Sequence, residues 1–580
     1  MNPHANEPTP QVSDNLAAKR CGVAALLSII GTGWLGSISC SSLGSAGADH
    51  GSADAGYADQ SLDPSTNATQ GDGVAEAPSQ PSHDAQTDAR TESPDAGGAS
   101  SVSECSGVDP FLQTSGPSIR TARGAGPIIA LRGVNLGGWL MIEPYMTPVN
   151  DAQDDFTMHG LLTSRFGATT ADRLIATYQK AWMQAADFDA IAELGMNTVR
   201  IPITYFNIQH TDGTLRADAF ERLDWAVAEA WKRCIYVVFD LHGAWGSASG
   251  WASGGKVGPS ELWTVEENRA RSTALWEAIA AHYRGHPGVA GYDLINEPNG
   301  ASNDEERWAL QDRFYRAIRA IDADHMIFIE AIWWLVNLPN PSQFGWTNVV
   351  YECHHYDWDH RTDVTALKAG ADAKVNDFMQ HASYGVPFYL GEFNFFGVTD
   401  AWKYGIERWD RAGFSWSTWS YRAAVDGADL TNGWGVYNVV DPRPAKPSLR
   451  NDSADVIQAK WSAWNAQAFG PNPMLRATLG MPAIAADVYD GFSDQPIETA
   501  PPGVLGNDHH VSAGRPGITM SAQLVTPPNH GQLTLRADGS FTYTPDAGFE
   551  GIDLFLYTAF DGRLHAPNPR PATLRVQRHP

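Results

Sequence analysis

The sequence of 580 residues has few cysteines, few basic residues and no C-x-x-C pair. Five cysteines in a chain of this length exclude a disulfide-stabilised scaffold, and their spacing argues against a structural zinc site. Lys and Arg number 40 against 66 Asp and Glu, which gives a formal net charge of -26. A surface of that sign repels phosphate backbones and anionic lipid, so we expect no nucleic-acid partner.

Apolar and aromatic residues are plentiful by contrast. Hydrophobic residues make up 43% of the chain, which is enough for a sizeable core, and the length indicates two or three domains. Of the 21 tryptophans, 20 lie between Trp139 and Trp464. The aromatic excess therefore belongs to one region.

Residues 1–40 have the pattern of an export signal. A Lys-Arg pair precedes an apolar run at 21–38, which Gly and Ser interrupt and which suits a signal peptide better than a membrane span. Cys40 ends a poor version of a bacterial lipobox, because the Leu expected three residues earlier is missing. We predict a secreted or cell-surface protein of the bacterial envelope. A lipid on Cys40 would attach it to a membrane. The alternatives are cleavage of the signal without a lipid and a signal that is retained as an anchor.

Residues 41–115 are predicted to form a disordered acidic linker. Between positions 41 and 110 the chain carries twelve acidic residues and one Arg, and it has almost no large apolar side chains. Such a composition cannot build a core, and like charges extend the chain. The linker is expected to hold the next domain away from a cell surface or to act as a plain spacer.

Residues 116–468 alternate between strand-like apolar runs and stretches with helical periodicity, such as 171–193, 217–232, 266–283 and 304–321. The eight apolar runs are 128–134, 198–201, 236–239, 291–295, 326–329, 349–351, 388–390 and 414–419. This order predicts an α/β fold, a (β/α)8 TIM barrel with loop insertions. An open doubly wound sheet is the alternative, but it normally carries a G-x-G-x-x-G loop after its first strand, where this chain has none.

Polar and aromatic residues follow the predicted strands at positions where a core needs neither. Barrel chemistry is located at the C-terminal ends of strands. Each such residue alone has a structural explanation, as an ion-pair partner or a packing ring. Their coincidence at strand ends predicts a catalytic face. The residues are Arg200, His242, Asn296, Glu297, His354, Tyr356, Glu392 and Trp419.

Two of these residues are carboxylates on opposite sides of the predicted barrel mouth. Glu297 follows the fourth strand and Glu392 the seventh, so both can point at one substrate bond. Glycoside hydrolysis needs such a pair, and a separation of about 5–5.5 Å would mean retention through a covalent intermediate. Asn296 could donate to a sugar 2-hydroxyl group, and Arg200 and Tyr356 could hold Glu392 ionised.

Six motifs occur in an order that resembles glycoside hydrolase family 5 over about 350 residues. They are residues 132–140, 196–202, 240–243, 294–298, 354–356 and 391–393. The resemblance implies retaining β-glycosidase chemistry without a metal or an organic cofactor, with Glu297 as acid/base and Glu392 as nucleophile. It further implies Trp419 as the platform under the sugar, with Trp416 as the alternative. The supporting residues it implies are Arg200, His242, Asn296, His354 and Tyr356.

The opening motif, continued through 141–148, is most similar to the exo-β-1,3-glucanase branch of that family, in which the glutamate matching Glu143 contacts the terminal glucose. This chain departs from the branch at Ala252 and Ser253, where an Asp-Asn pair usually helps to close the pocket. We expect weaker recognition of a terminal glucose, and an open, endo-acting cleft is the alternative. Tryptophans that could stack on further sugars are Trp245, Trp251, Trp333, Trp334 and Trp434.

The C-terminal part of the chain has a different pattern. Residues 469–500 are Pro- and Ala-rich and are predicted to be a linker. In 501–578 apolar residues alternate with polar ones between Gly-containing turns, which predicts a small all-β, immunoglobulin-like sandwich. This part resembles the bacterial cadherin-like modules, and its lack of Trp argues against a sugar-stacking module.

The sequence therefore predicts a monomeric retaining β-glycosidase that acts on β-glucan, with β-1,3-glucan favoured. An endo-acting cellulase or mannanase, or a glycolipid glycosidase, would use the same chemistry. A surface protein that binds a glycan without cleaving it is the alternative from another class, and the complete Glu297 and Glu392 pair argues against it. Whether Cys234 and Cys353 pair is left open, with two free buried thiols as the simpler expectation.

Overall fold

The structure is a computed structural model, and it describes residues 109–425, 433–510 and 519–579. The predicted export signal with Cys40, and positions 41–108 of the predicted linker, lie outside the described residues. In the three described ranges, no helix combines the length and the apolar character needed to cross a membrane.

The last residues of the predicted linker are part of the folded structure. Phe111 and Leu112 are buried, and they are followed by a three-stranded antiparallel sheet. Leu112 and Ile129 pack with barrel residues that include Val238. The predicted linker end at 115 is therefore wrong, because these apolar side chains close the lower end of the barrel. The strands of the sheet are β1 (Gln113–Ser115), β2 (Ser118–Arg120) and β3 (Ile128–Ile129).

Eight parallel strands close into a barrel in which each strand pairs with its neighbour in the sequence, as predicted. The strands are buried on both sides, since helices cover the outside and side chains fill the inside. The predicted strand 128–134 is divided between β3 and the first barrel strand. The barrel strands are β4 (Arg132–Asn135), β5 (Thr198–Thr204), β6 (Tyr236–Gly243), β7 (Val289–Asp293), β8 (Met326–Glu330), β9 (Val349–His355), β10 (Phe388–Phe393) and β11 (Ser415–Thr418).

The helices lie between the strands, as the periodicity indicates. The helical stretch predicted at 171–193 is two helices, because the chain turns at Met183 and the side chains of Gln184 and Asp187 cap the second helix. The helices are α1 (Asp155–Phe166), α2 (Ala168–Trp182), α3 (Ala185–Glu193), α4 (Tyr205–Ile208), α5 (Glu221–Trp231), α6 (Glu266–Tyr283), α7 (Asp304–Ile321), α8 (Val364–Gln380), α9 (Thr399–Arg411), α10 (Ala454–Ser462) and α11 (Pro473–Leu479).

Residues 469–500 are not a linker, which corrects the prediction. Leu475 and Leu479 of α11 are buried in the barrel core. Residues from 482 onward already form strands of the C-terminal domain, and the strand Asp487–Phe492 pairs in parallel with the last strand of that domain. A Pro- and Ala-rich composition hid these elements. A small sheet precedes them, formed by β12 (Arg422–Ala423), β13 (Tyr437–Val439) and β14 (Phe469–Pro471).

The C-terminal domain is the predicted all-β sandwich. A four-stranded and a three-stranded sheet enclose a core that includes Phe541, Tyr543, Phe555 and Leu574, and the two remaining strands of the domain form a sheet of their own. Its strands are β15 (Pro482–Ala483), β16 (Asp487–Phe492), β17 (Ile497–Thr499), β18 (His509–His510), β19 (Ser521–Thr526), β20 (Gly531–Leu535), β21 (Phe541–Pro545), β22 (Gly551–Phe560) and β23 (Arg570–Gln577).

The sandwich contacts the barrel at the N-terminal ends of the strands. The side-chain amide of Asn197, which directly precedes β5, donates to Asn568 of the sandwich at 2.6 Å. Leu564 of the sandwich joins the barrel core. The contact thus lies on the face opposite the strand ends where a barrel carries its chemistry.

The two cysteines whose pairing was left open do not pair with each other. Cys353 is a free thiol buried in β9, whereas Cys234 is disulfide-bonded. The expectation of two free thiols is therefore wrong for Cys234.

Candidate active site

Glu297 and Glu392 meet at the C-terminal end of the barrel. Glu297 follows β7, Glu392 lies in β10, and both are almost fully buried. One carboxylate oxygen of each, and a ring nitrogen of His354, all lie within 4.8 Å of one another. Retaining glycosidases hold their two carboxyl groups about 5–5.5 Å apart, whereas inverting enzymes need about 6.5–9.5 Å. The spacing observed here fits direct attack by one carboxylate.

Glu392 is held by two hydrogen-bond donors. Arg200 Nη1 lies 3.0 Å from its Oε1 atom, and the Tyr356 hydroxyl group donates to its Oε2 atom at 2.9 Å. His242 Nε2 lies 3.7 Å from Oε1. A charged donor on one oxygen and a phenol on the other stabilise the ionised carboxylate and fix its orientation.

Arg200 is itself fixed on all sides. It lies within β5 rather than after it, because the strands extend several residues beyond their apolar runs. Its Nε donates to Asp293 at 2.8 Å and its Nη1 to Asn135 at 3.1 Å. Its Nη2 donates to the side-chain oxygen of Asn296 at 3.0 Å, which sets the orientation of that amide.

Asn296 offers a donor to a ligand. Its Nδ2 atom is buried, and within the described residues it has no hydrogen-bond partner. Buried amide groups are normally paired, so this orphaned donor is suited to a hydroxyl group of a bound sugar.

Glu297 has the surroundings of a general acid. Burial raises the pKa of its carboxyl group. His354 Nδ1 lies 3.0 Å from its Oε1 atom, and the Ser253 hydroxyl group donates to Oε2 at 3.3 Å. Its φ of 41° is a strained backbone conformation, which the Glu330 carboxyl group stabilises by accepting from Glu297 N at 2.9 and 3.0 Å.

The two histidines of the site are neutral. Burial lowers the pKa of His242 to about 4 and that of His354 to about 3. His242 Nδ1 contacts Asp240, which orients the ring. Both rings therefore act as neutral hydrogen-bonding groups beside the carboxylates.

Trp419 lies directly after β11, with its ring parallel to His242 at 5.5 Å between centroids. Its Nε1 donates to the Tyr145 hydroxyl group at 2.9 Å. A Cβ at Gly137 would lie 2.8 Å from the indole, so only glycine leaves room for it there. Trp416 is instead buried against Phe393 in the core, which favours Trp419 as the sugar platform.

Glu143 is buried in the loop after β4, two residues before Tyr145. The structure thus brings Tyr145, and with it this loop, to the edge of the site through the bond to Trp419. All nine residues that the sequence predicts for the site lie on this face of the barrel.

An aromatic wall extends the site outward. Trp434 lies 5.5 Å from Tyr145 and 5.7 Å from Trp358 between ring centroids. Trp358 stacks on Tyr356 at 5.4 Å, and 47% of its surface is exposed. The sequence analysis missed Trp358, although its position two residues after Tyr356 was a signal.

The other candidate tryptophans are placed differently. Trp333 lies edge-on to Tyr356 and His354, 6.4 Å from each, beside the site. Trp245 packs on Tyr205 at 3.9 Å and under the Arg271 guanidinium group, so both of its faces are occupied. Trp334 is 40% exposed next to Lys374, and Trp251 is half-buried in the loop before Ser253.

Comparison with known proteins agrees with this geometry. The family model of the cellulase domain, glycosyl hydrolase family 5, matches residues 149–425. A probable glucan 1,3-beta-glucosidase A of Neosartorya fischeri is 30% identical over 286 residues, which cover 47% of this chain and 67% of the relative. The chain belongs to glycosyl hydrolase family 5.

Other relatives carry related names. A probable glucan 1,3-beta-glucosidase A of Aspergillus clavatus is 31% identical over 257 residues, 42% of this chain and 59% of the relative. A beta-xylosidase of Phanerodontia chrysosporium is 30% identical over 254 residues, 42% of this chain and 52% of the relative. The match to this family 5 chain thus covers 52–67% of the length of these three relatives. Outside it, residues 481–578 match the bacterial cadherin-like domain.

Four carboxyl groups below the site of this family 5 member were not predicted. They are fully buried and belong to barrel strands. In the sequence one of them interrupts a predicted apolar run, and the other three directly follow one. A carboxylate at an inward-facing strand position was the available signal, since a core residue there would be apolar. These residues are Asp240, Asp293, Glu330 and Glu352.

Proposed function

We propose that this protein hydrolyses β-1,3-glucan with retention of the anomeric configuration. The observation that carries the proposal is the carboxylate pair, with oxygens of Glu297 and Glu392 within 4.8 Å of each other. Donors from Arg200 and Tyr356 keep Glu392 ready as a nucleophile, and burial favours the protonated form of Glu297.

The reaction takes two steps. In the first, a Glu392 oxygen attacks the anomeric carbon while Glu297 gives its proton to the glycosidic oxygen, so that the bond to the leaving sugar breaks. In the second, Glu297 takes a proton from water, whose oxygen attacks the same carbon and releases Glu392. Two inversions at one carbon amount to retention.

The other residues position the sugar at the cleavage site. Asn296 Nδ2 is the donor for a hydroxyl group next to the anomeric carbon, where hydrogen bonds strengthen in the transition state. Trp419 offers an apolar face to the ring. The exposed Trp358 extends the apolar surface to the neighbouring unit.

The choice of β-1,3-glucan is supported by the names of the two glucan 1,3-beta-glucosidase relatives. The beta-xylosidase relative has a similar sequence identity but is named for a different substrate, so identity at this level does not determine the substrate. Ser253 bonds to Glu297 in this chain, so it is engaged with the acid rather than free to close a pocket around terminal glucose. Release of oligosaccharides from within a chain is therefore the second candidate.

Product analysis on laminarin tests the proposal, with cellulose, mannan and aryl β-xylosides as parallel substrates. Glucose as the sole early product would support exo action, and a ladder of oligosaccharides would support an open cleft. The Glu392→Ala variant is the blank for contaminating activity. If wild type binds laminarin but, like the blank, forms no product, the glycan-binding alternative would be favoured.

We further infer that the protein is exported and acts as a monomer at the cell surface or outside the cell. The signal pattern in residues 1–40 supports export, as does the disulfide at Cys234, since disulfides persist in oxidising compartments. Fractionation of cells that express wild type or Cys40→Ala tests the lipid anchor. Release of the variant alone from membranes would support it. Release of both proteins would argue for cleavage without a lipid, and retention of both in the membrane would argue for a signal retained as an anchor.

A further inference from the structure

A cluster of buried acids lies directly beneath the reacting carboxylates and has no role in the two steps above. Its members Asp293, Glu330 and Glu352 have no exposed surface. Arg200 is the charged base among them, and it also serves Glu392. The nearby histidines add no charge, because burial holds both neutral. One guanidinium group therefore faces more carboxyl groups than it can neutralise.

The hydrogen bonds show which of these acids has the fewest donors. Arg200 Nε has one hydrogen, and it goes to Asp293 Oδ2 at 2.8 Å, while Glu352 Oε1 lies 3.5 Å from the same nitrogen. Within the described residues, neither oxygen of Glu352 accepts a hydrogen bond, and Asp293 Oδ1 accepts none either. An ionised carboxylate that is fully buried without a donor is the least favourable state for such a group.

Protonation of one carboxyl group would supply the missing hydrogen-bond donor. The carboxyl groups of Asp293 and Glu352 are within hydrogen-bonding reach of each other. If Glu352 is protonated, its O–H donates to a carboxylate oxygen of Asp293. A Glu352 oxygen thereby gains a partner, and Asp293 gains a second donor beside Arg200.

We propose that Glu352 is a positioning residue that stays protonated in the working enzyme and donates to Asp293, so that Arg200 keeps its charge for Glu392. Only the expected effect of Glu352 on activity rests on the proposed function. Burial raises the pKa of Glu352 well above its usual range, and the neighbouring Asp293 carboxylate adds to the effect. The titratable groups that face Glu352 are Arg200, Asp293, Glu330, His354 and Tyr389.

The backbone of β10 is shaped to receive this carboxyl group. A Cβ on Gly391 would lie 1.4 Å from Glu352 Oε1, so the acid occupies the space that any other residue would fill. Gly391 directly precedes Glu392. Glu352 thereby touches the strand segment that carries the nucleophile as well as the arginine that orients it.

Infrared spectroscopy tests the protonation without any substrate. The difference spectrum between wild type and Glu352→Gln, recorded at neutral pH in H2O and D2O, should contain the isotope-sensitive C=O stretch of a protonated carboxyl group. A difference that contains only carboxylate stretches would overturn the proposal. This result is independent of glycosidase activity, so it stands even if wild type cleaves no glycan and the proposed function fails.

Kinetics test the positioning role. Glu352→Leu leaves Asp293 without its donor and should lower kcat by about tenfold or more. Glu352→Gln keeps a neutral donor and should restore the rate, with the acid limb of the pH profile in its wild-type position. Asp293→Asn is the matched control, because it removes an ionised neighbour of Arg200 and should move the acid limb of the pH profile to lower pH. The same downward shift in Glu352→Gln, or a rate as low as that of Glu352→Leu, would show that Glu352 is an anion. Thermal unfolding of each variant checks that it is folded.

Discussion

Ser253 is the residue at which this chain departs most informatively from the glucanase pattern. Its hydroxyl group donates to Glu297 Oε2 at 3.3 Å. A donor to a carboxylate favours the charged form and lowers the pKa of the acid, which opposes the increase caused by burial. The Ser253→Ala variant should therefore raise the pKa of Glu297.

The size of the expected pKa shift follows from the strength of the hydrogen bond between Ser253 and Glu297. A hydrogen bond to a charged group contributes about 1.5–3 kcal/mol at good geometry, and one pKa unit corresponds to about 1.36 kcal/mol. Because the bond is long and Ser253 is only half-buried, we expect a contribution below that range, about 0.4–1.4 kcal/mol, which shifts the pKa of Glu297 by about 0.3–1 unit. The first step of the proposed reaction needs Glu297 protonated, so the alkaline limb of kcat/KM should move to higher pH by that amount.

The assay is the pH profile of kcat/KM on an aryl β-glucoside and on laminarin. Ser249→Ala is the control, since Ser249 lies in the same loop but its hydroxyl group accepts from Trp251 N instead. The control should leave the alkaline limb in place. An alkaline limb that moves to lower pH in Ser253→Ala, or does not move at all, would refute the role assigned to this hydroxyl group.

Three further substitutions test the site. Glu297→Ala should slow substrates with poor leaving groups by about 10²–10⁴-fold and aryl glycosides much less, whereas equal losses would argue against an acid role. Glu392→Ala should abolish turnover but not binding, and azide should restore activity with a product of inverted configuration; wild-type activity without azide would exclude it as nucleophile. Gly391→Ala should lower the unfolding free energy by about 1–3 kcal/mol, because its methyl group meets Glu352; an unchanged melting temperature would mean that the carboxyl group moves aside freely.

The barrel could be predicted because its signals are local. Each strand contains an apolar run, and the helices Glu266–Tyr283 and Asp304–Ile321 begin and end where the periodicity does. The strand ends were less visible. In β6 the residues Asp240 and His242 are polar but still part of the strand, since they point into a barrel that is lined with hydrogen-bonding groups.

The remaining features depend on contacts between distant parts of the chain. The first long strand of the sandwich pairs with β23, more than eighty residues later, so Asp487–Phe492 shows no local partner. Glu352 is interpretable only with Gly391 and Asp293 beside it, and those come from two other strands. Residue types at strand ends revealed the reacting groups, whereas the acids that support them required the three-dimensional arrangement.

The most direct test of the account is the configuration of the first product. Proton NMR during the first minutes of laminarin hydrolysis distinguishes the anomers before they equilibrate. With attack by Glu392, the new reducing end should appear first as the β-anomer, and Glu392→Ala should give no such signal. Initial release of the α-anomer would contradict direct attack by Glu392 and require a water between the two carboxylates.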